Sequence, residues 1–547
     1  MKKNLTKLLA LALAACTCVS VTSCGPKDED NPQTLDIYLL YKGYQDEWLT
    51  STIDLFKQQD WVKADYPELT INYTQDGTDS TAFSKLSAGE SINKYDLLFS
   101  VNLSTYDATG VTMDLTDAVY NSEVPGETGV KVKDKVDADR LAKLAAPVAK
   151  APEREDGGSS YYTVNYIDGM YSMLYNANIL ETLQLEVPVT TTEFKNVCNA
   201  IKTGDGYQAT IDGVTKTYKT PIINSAGSNY WATTFNVWWA QYEGYDEYCN
   251  FYNGTYKEEL SNKVVEQTGR LRSLETIESI FRSGYSIDNS SELDYKTAQT
   301  SFLSGHGVFH YNGDYFASEM RLAMQALKTK GIDYDIKYMK MPVISSIVEK
   351  LEDSDMTDET LASIIREIDN DVAYDDSQAK TNGVSKADFN KIAEARQIAA
   401  YGGASAQQAV IPDYSPSKTL AADFLRFMFT DVAISNFAKA SGGIRFPAKY
   451  EYSDSELANF SKISKSAYEI SQGTSNYAFK RLPAESSFEL GKVGLTALAS
   501  FNNKFEVLWH HASTSTTTAK DVYDAEKNHW NTTSWGQLLA RAGYAGN

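Results

Sequence analysis

The side chains best suited to chemistry crowd into one stretch, Ser301 to Phe316, which reads SFLSGHGVFHYNGDYF. Asn312 and Asp314 offer an amide and a carboxylate, Tyr311 and Tyr315 offer flat rings with hydroxyl handles, and Gly313 between them lets the backbone turn. That set holds a ligand with polar edges and an apolar face. It pairs no nucleophile with a base. Elsewhere there is no nucleophile elbow, HExxH or P-loop. The five histidines (306, 310, 510, 511 and 529) are scattered and no Cys/His cluster has metal-ligand spacing, so neither metal nor cofactor is expected. Asp369-Asn370-Asp371 and Asp375-Asp376 lack the spacing and the glycine of a calcium loop, and read as a solvated acidic linker. A glycoside hydrolase needs two carboxylates roughly 5–10 Å apart. With 72 acidic residues, chance pairs abound and the count decides nothing, so that enzyme stays open as an alternative.

The elements that must position this stretch follow from its pattern. Phe302, Leu303 and Gly305 close a helix, Val308 to His310 form a short buried strand, and the aromatic turn opens a new helix over 316–326. A strand ending in a glycine-containing turn is how an α/β protein builds a ligand rim. Upstream, the strand Thr34 to Tyr41, a helix over 45–59, the strand Leu69 to Tyr73, a helix over 81–89 and the strand Asp96 to Ser100 make a β-α-β-α-β unit, which predicts a parallel sheet. After the polar run Arg154 to Ser160 a different sheet is expected, beginning with two strands around Ile167-Asp168-Gly169. Thr190 to Glu193 reads as a helix cap. Residues 344–400 are acidic and helical, unlike their surroundings, and the last hundred residues are helical and polar.

The chain's address is written at its start. Lys2, Lys3 and Lys7 precede an uncharged apolar run that is too short to span a membrane and ends at Thr22-Ser23-Cys24-Gly25. This resembles the lipobox of bacterial lipoproteins, in which the cysteine is acylated and becomes the mature N-terminus. Cys24 is favoured over a second match at Cys16. The resemblance implies a signal peptide over 1–23, a polar tether over 24–33, and localisation to the extracytoplasmic face of the cell membrane through the lipid anchor. Cys198 and Cys249 remain, either paired or as packed thiols. Losing the three leader lysines takes the net charge from −21 to −24, which argues against nucleic acid as a partner. Tyrosines outnumber phenylalanines 36 to 21, which suits surfaces that contact sugars.

Across nearly the whole mature chain, several landmarks come in an order that resembles the extracellular solute-binding proteins of ABC importers, the sugar-binding family that includes maltose-binding protein. Met113-Asp114-Leu115-Thr116 resembles that family's DLT element, Leu174-Tyr175-Asn176 its YN strand end, and Pro188 to Phe194 its P-x-T-x-x-E-F helix start. Phe302 to Gly305 with Gly313 to Tyr315 resembles its F-x-x-G…G-x-W core, with Tyr315 where Trp is common, and Ala421 to Met428 resembles its A-x-x-F-L-x-F helix. The segment 344–400 is an insertion relative to that pattern. The resemblance implies two α/β lobes of the type II periplasmic-binding kind joined by hinge strands. Lobe 1 is expected over 34–150 and 401–445, and lobe 2 over 151–343 and 446–547. A carbohydrate would sit in the cleft, and the partner would be an ABC permease. No catalysis is expected, and the protein is expected to be a monomer. A helical glycan-binding lipoprotein of an outer-membrane system is the remaining alternative, and the early β-α-β-α-β order argues against it.

Sugar recognition needs rings for the C–H face and amides or carboxylates for the hydroxyls. The strand-end loops supply the candidates: Tyr41, Lys42, Asp76, Asp79, Asn102, Tyr166, Asp168, Asn224, Trp231, Asn312, Asp314 and Tyr315, with Gly402 and Gly403 where the backbone must approach closely. Tyr315 is expected to stack on the sugar and Asp314 to accept from its hydroxyls.

Overall fold

The computed structural model describes residues 33–544 except 42, 78, 92, 147–150, 212–213, 229, 376, 378–382, 403–406 and 499–504. The leader with Cys16 and Cys24, Lys42, Gly403 and the side chain of Asp79 lie outside the described residues. In chain order the strands are β1 Thr34–Leu40, β2 Thr70–Asp76, β3 Leu97–Val101, β4 Val164–Asn165, β5 Tyr171–Asn176, β6 Tyr207–Ile211, β7 Val214–Tyr218, β8 Ile222–Ile223, β9 Thr255–Tyr256, β10 Glu259–Leu260, β11 Phe309–Gly313, β12 Ile336–Met339, β13 Ile398–Tyr401, β14 Gln407–Val410 and β15 Lys480–Leu482.

Two sheets organise two lobes. The first has the order β2-β1-β3-β14-β4; β1 runs parallel to β2 and β3, and β14 runs antiparallel to β3 with Gln407 opposite Val101. Its central strands are buried on both faces, as parallel strands covered by crossover helices must be. The helices Glu47–Gln58, Lys418–Phe427 and Asp431–Ala440 pack Trp48, Phe56, Phe424 and Phe437 on one face. The second sheet has the order β15-β13-β5-β11-β8, with β12 also paired to β5. Tyr171 lies opposite both Gly313 and Tyr401, so the start of β5 and the ends of β11 and β13 share one edge. The main core of lobe 2 is built around the helix Ala232–Glu243, whose Trp238 and Trp239 are fully buried. Trp238 Nε1 donates to the Pro342 carbonyl at 3.0 Å. Hairpins β6–β7 and β9–β10 stand apart from both sheets.

Local signals set the element boundaries. Thr190 Oγ1 accepts from Glu193 N at 3.1 Å, and the Glu193 carboxylate accepts from Val189 N at 2.9 Å, which starts the helix Thr191–Thr203. The helix Tyr295–Leu303 ends two residues before Gly305, whose φ of +78° suits a residue without a Cβ. The helix expected over 316–326 is two pieces, Phe316–Glu319 and Arg321–Thr329. Cys198 is a buried free thiol and Cys249 is also free.

Among the described residues the chain passes between lobes three times: from β4 to β5, from β13 to β14, and between the helices Asp431–Ala440 and Lys462–Ser471. Two expectations change here. The first passage falls at residues 166–170, not near 150: β4 is hydrogen-bonded to β14 in the first sheet, so Ile167-Asp168-Gly169 is a crossing and not a hairpin turn. Residues 344–400 hold the two expected helices, Asp358–Asp369 and Lys386–Gln397, which bury Leu361, Ile365, Phe389 and Ile392 in the core of lobe 2. The acidic run is not simply solvated, because Asp369 pairs with Arg396 at 2.6 Å and Lys340 at 2.9 Å. The helix Lys386–Gln397 leads directly into β13 and so supports the second crossing.

Candidate functional site: a cleft between two lobes

A cavity of about 480 Å³ lies between the two sheet edges. That volume falls within the roughly 300–1,000 Å³ of small-molecule sites. Lobe 1 supplies Ser104, Arg140, Lys143, Asn165 and Gln408; lobe 2 supplies Arg481, Ser486, Ser487 and Lys492; the crossings supply Asp168 and Gly402. Arg140 and Lys143 share one face of the helix Ala138–Leu144 by their three-residue spacing. Asn165 and Gln408 are register partners at the β4–β14 edge, and Gln408 Oε1 accepts from Ser104 N at 2.9 Å. Lys492 Nζ reaches across from lobe 2 to the Ala145 carbonyl at 2.9 Å and to Asp107 at 3.6 Å. Lys143 Nζ reaches the other way, donating to the Tyr245 hydroxyl at 2.9 Å.

One buried carboxylate holds the crossing together. Asp168 takes the guanidiniums of Arg140 and Arg481 on one oxygen and has Arg445 at 3.5 Å from the other. Its backbone N–H donates to the Arg445 carbonyl at 2.8 Å, and its own carbonyl accepts from Arg481 Nη1 at 3.0 Å. Burial pushes the Asp168 pKa up, but Arg140, Arg481 and Arg445 outweigh that and hold the carboxyl far below the usual carboxylate range. Arg140 comes from lobe 1, Arg481 from lobe 2 and Arg445 from the segment that returns to lobe 2, so all three ties converge where the chain bends. Gly402 closes the wall: its N–H donates to the Leu482 carbonyl at 2.7 Å, and a Cβ there would stand 2.7 Å from the same oxygen.

Tyr401, the neighbour of the lining residue Gly402, belongs to a cluster of tyrosines at the sheet edge, none of which is among the residues lining the cavity. The Tyr171 ring lies 5.9 Å from Tyr315, 6.2 Å from Tyr230 and 6.4 Å from Tyr401. Tyr315 crosses into lobe 1, where it meets Tyr44 edge-on at 5.2 Å and packs against the bare backbone of Gly43. Tyr171 and Tyr230 are half-buried and the other three are buried. Asp314, immediately after β11, is 7% exposed, and its Oδ1 has no hydrogen-bond partner. Burial pushes its pKa up to about 7, with Asp168 adding to the rise and Arg445 and Arg481 opposing it.

The expected site residues separate into three groups. Asp168 and Gly402 line the cavity. Tyr41, Asp76 and Asn102 stand at the ends of β1, β2 and β3, with the Tyr41 hydroxyl on Gln45, the Asp76 carbonyl accepting from Tyr41 N, and Asn102 exposed at φ +53°. The third group faces inward. Tyr166 stacks on Trp48 in the core of lobe 1. Trp231, 1% exposed, packs against Phe281 and Tyr311 inside lobe 2. Asn224 donates to the Trp509 carbonyl at 3.2 Å. Asn312 is locked between His310 and its neighbour's N–H, since His310 Nε2 lies 3.1 Å from Asn312 Nδ2 and Gly313 N donates to Asn312 Oδ1 at 2.8 Å. Asp314 and Tyr315 are placed at the joint between lobes instead of on an open rim, because β11 is buried along its length. Arg140, Lys143, Arg481 and Lys492 escaped the strand-end reading. Only the spacing of Arg140 and Lys143 marked them, as a basic face within an acidic chain.

No protein-family model matches the chain, and no curated protein does. Solved structures do match. A chitin oligosaccharide binding protein aligns with a TM-score of 0.55 at 15% identity, over 91% of this chain and 97% of its own. The GacH receptor of Streptomyces glaucescens GLA.O, described unliganded and with acarbose, aligns at 0.52 and 13% identity over 93% and 98%. A family 1 extracellular solute-binding protein from Bifidobacterium longum subsp. infantis aligns at 0.51 and 13% over 91% and 98%. At such identities the likeness is one of fold. The chain has the two-lobe α/β fold of type II periplasmic-binding proteins.

Proposed function

We propose that this chain is an extracytoplasmic binding protein that closes its two lobes on a carbohydrate and delivers it to the permease of an ABC importer. The observation that carries the proposal is the cleft itself. A polar cavity of about 480 Å³ sits between lobes that touch through side chains and are joined by three crossings, and a row of tyrosine rings starts at Tyr401, next to the lining residue Gly402. Hydroxyl-bonding side chains next to flat rings are what a sugar requires, and hinge closure is the usual way such folds respond to ligand. Tyr171 and Tyr230 are the partly open rings and take the stacking role first expected of Tyr315 and Trp231. Two of the three aligned proteins are described as binding chitin oligosaccharide and acarbose, which agrees with a carbohydrate here. All three comparisons are with binding proteins, which supports a reading without catalysis.

The tether rests on the lipobox at Cys24, and a Cys24→Ala protein that still fractionates with membranes would remove it. The main test is a thermal-shift panel of mono- and oligosaccharides against peptides and polyamines. A ligand at 100 times its Kd adds about 2.7 kcal/mol, a readable shift. Sugars should raise the melting temperature and emerge from the incubation uncut. Silence from every sugar with a response to peptides or polyamines sinks the assignment, and so does cleavage.

A further inference from the structure

The cavity wall is cationic in a chain whose net charge is −21. Three guanidiniums, from Arg140, Arg445 and Arg481, gather on the carboxylate of Asp168, and Asp314, its pKa raised to about 7, also faces Arg445 and Arg481, so the two carboxyls leave at least one positive charge uncompensated at the crossing. Lys143 adds another: among the described residues its hydrogen-bond partner is the neutral Tyr245 hydroxyl, not a carboxylate. The acids that line the same cavity, Asp137 and Asp139, stand exposed at its mouth, where water screens them. Lys492 is balanced by Asp107 and does not enter the sum. The wall also has unmet hydrogen-bonding capacity. Arg140 Nη1, Thr163 Oγ1 and Asn165 Oδ1, all on residues lining the cavity, are buried without a partner.

Resting on the carbohydrate reading above, we infer that the ligand is an acidic saccharide, with a carboxylate or sulfate group docked against Arg140 and Lys143 in the inter-lobe cavity. A neutral sugar would leave the surplus charge facing its hydroxyls and uncompensated once closure expels water. An anionic group meets it with charge-assisted hydrogen bonds, which are about twice as strong as neutral ones, and the planar fork of Arg140 matches a carboxylate or sulfate edge. Burial lowers the pKa of Lys143, and an anion beside it would oppose that shift. The tyrosine cluster next to Gly402 supplies the ring-stacking surface that a bare inorganic anion would not use.

The test compares acid–neutral pairs with the same rings: trigalacturonate and its methyl ester, methylglucuronosyl-xylotriose and xylotriose, and a sulfated chondroitin disaccharide and its desulfated form. Binding is measured by titration calorimetry on the full mature chain at low salt and in 0.3 M sodium chloride, with citrate and phosphate run alongside. At least one acidic member should bind tenfold or more tighter than its neutral twin, with the gap narrowing in salt. Lys143→Gln should erase that preference, Lys143→Arg should retain it, and Tyr245→Phe should leave it unchanged. If Lys143 served lobe closure alone, Lys143→Gln and Tyr245→Phe would weaken both members of a pair equally, which overturns the inference. Neutral members binding as well as acidic ones overturns it too and leaves the carbohydrate reading standing. A response to citrate or phosphate with every saccharide silent overturns both.

Discussion

Asp314 shows what a single residue's surroundings do to a role read from its type. As a strand-end acid it was expected to accept hydrogen bonds from a ligand. In the fold it is sealed between β11 and the crossing, facing Asp168, Arg445 and Arg481 and beside Tyr44 and Tyr338, and its pKa rises from 3.8 to about 7. The sign follows from proton counting. Between those two values the folded protein keeps a proton that the unfolded chain has released, so stability is greatest in acid and falls as pH rises toward 7. At about 1.4 kcal/mol per pKa unit, the loss amounts to a few kcal/mol. Glu485, raised from 4.5 to about 7 by burial, acts in the same direction. Asp168 acts oppositely, but only where carboxylates protonate, below the window of interest. Melting temperature should therefore fall from pH 5 to pH 8, and Asp314→Asn should flatten much of that slope and stabilise the protein at pH 8. An unchanged slope in Asp314→Asn would show that the group is not the source. The order of types in SFLSGHGVFHYNGDYF was enough to place the helix end and the start of the strand, but β11 continues through Tyr311, Asn312 and Gly313, which were expected in the turn, and only Asp314 and Tyr315 turn. That order could not say which rings face out, since that depends on Tyr44 and Gly43, more than 250 positions earlier.

At the scale of elements, β1 and β3 of the first lobe were legible because they are mostly apolar runs, broken by Asp36 and Ser100 alone apart from the opening Thr34. The first crossing was not, because β4 is two residues long and its sheet is decided by β14, far along the chain. The helices of 344–400 were legible, but not the place where Leu361, Ile365, Phe389 and Ile392 pack, because an acidic composition conceals that inward stripe. The joint of β13 with β15 gives a direct test of the second crossing. Gly402→Ala places a methyl 2.7 Å from a backbone oxygen that cannot rotate away, so the two strands must part. Overpacking of this kind costs about 1–3 kcal/mol. Gly536→Ala, in the open interior of the helix Thr532–Ala542, meets nothing within 4 Å and should instead gain about 0.5–1 kcal/mol. Equal effects in denaturant titrations of the two variants would refute the close approach at Gly402.

For the whole molecule, the question is what holds the lobes together. Arg321 and Glu47 bridge them at the surface, where both side chains are about half exposed. Such a pair is worth about 0–1 kcal/mol, so Glu47→Gln should leave lobe separation unaltered. Lys492 and Asp107 are different: their side chains are 6% and 2% exposed, one from each lobe. Removing one partner of a buried pair strands the other charge and costs about 3–5 kcal/mol. The molecule can escape that cost by opening its lobes and wetting Asp107. Lys492→Met should accordingly raise the radius of gyration of the ligand-free protein in small-angle scattering. Lys492→Met combined with Asp107→Asn leaves no charge to hydrate, so the double variant should return toward the wild-type curve. Superimposable curves for wild type and Lys492→Met would mean that closure is held elsewhere: by the contact of Tyr315 on Gly43 and Tyr44, by Lys143 on Tyr245, or by Arg140 and Arg481 meeting on Asp168.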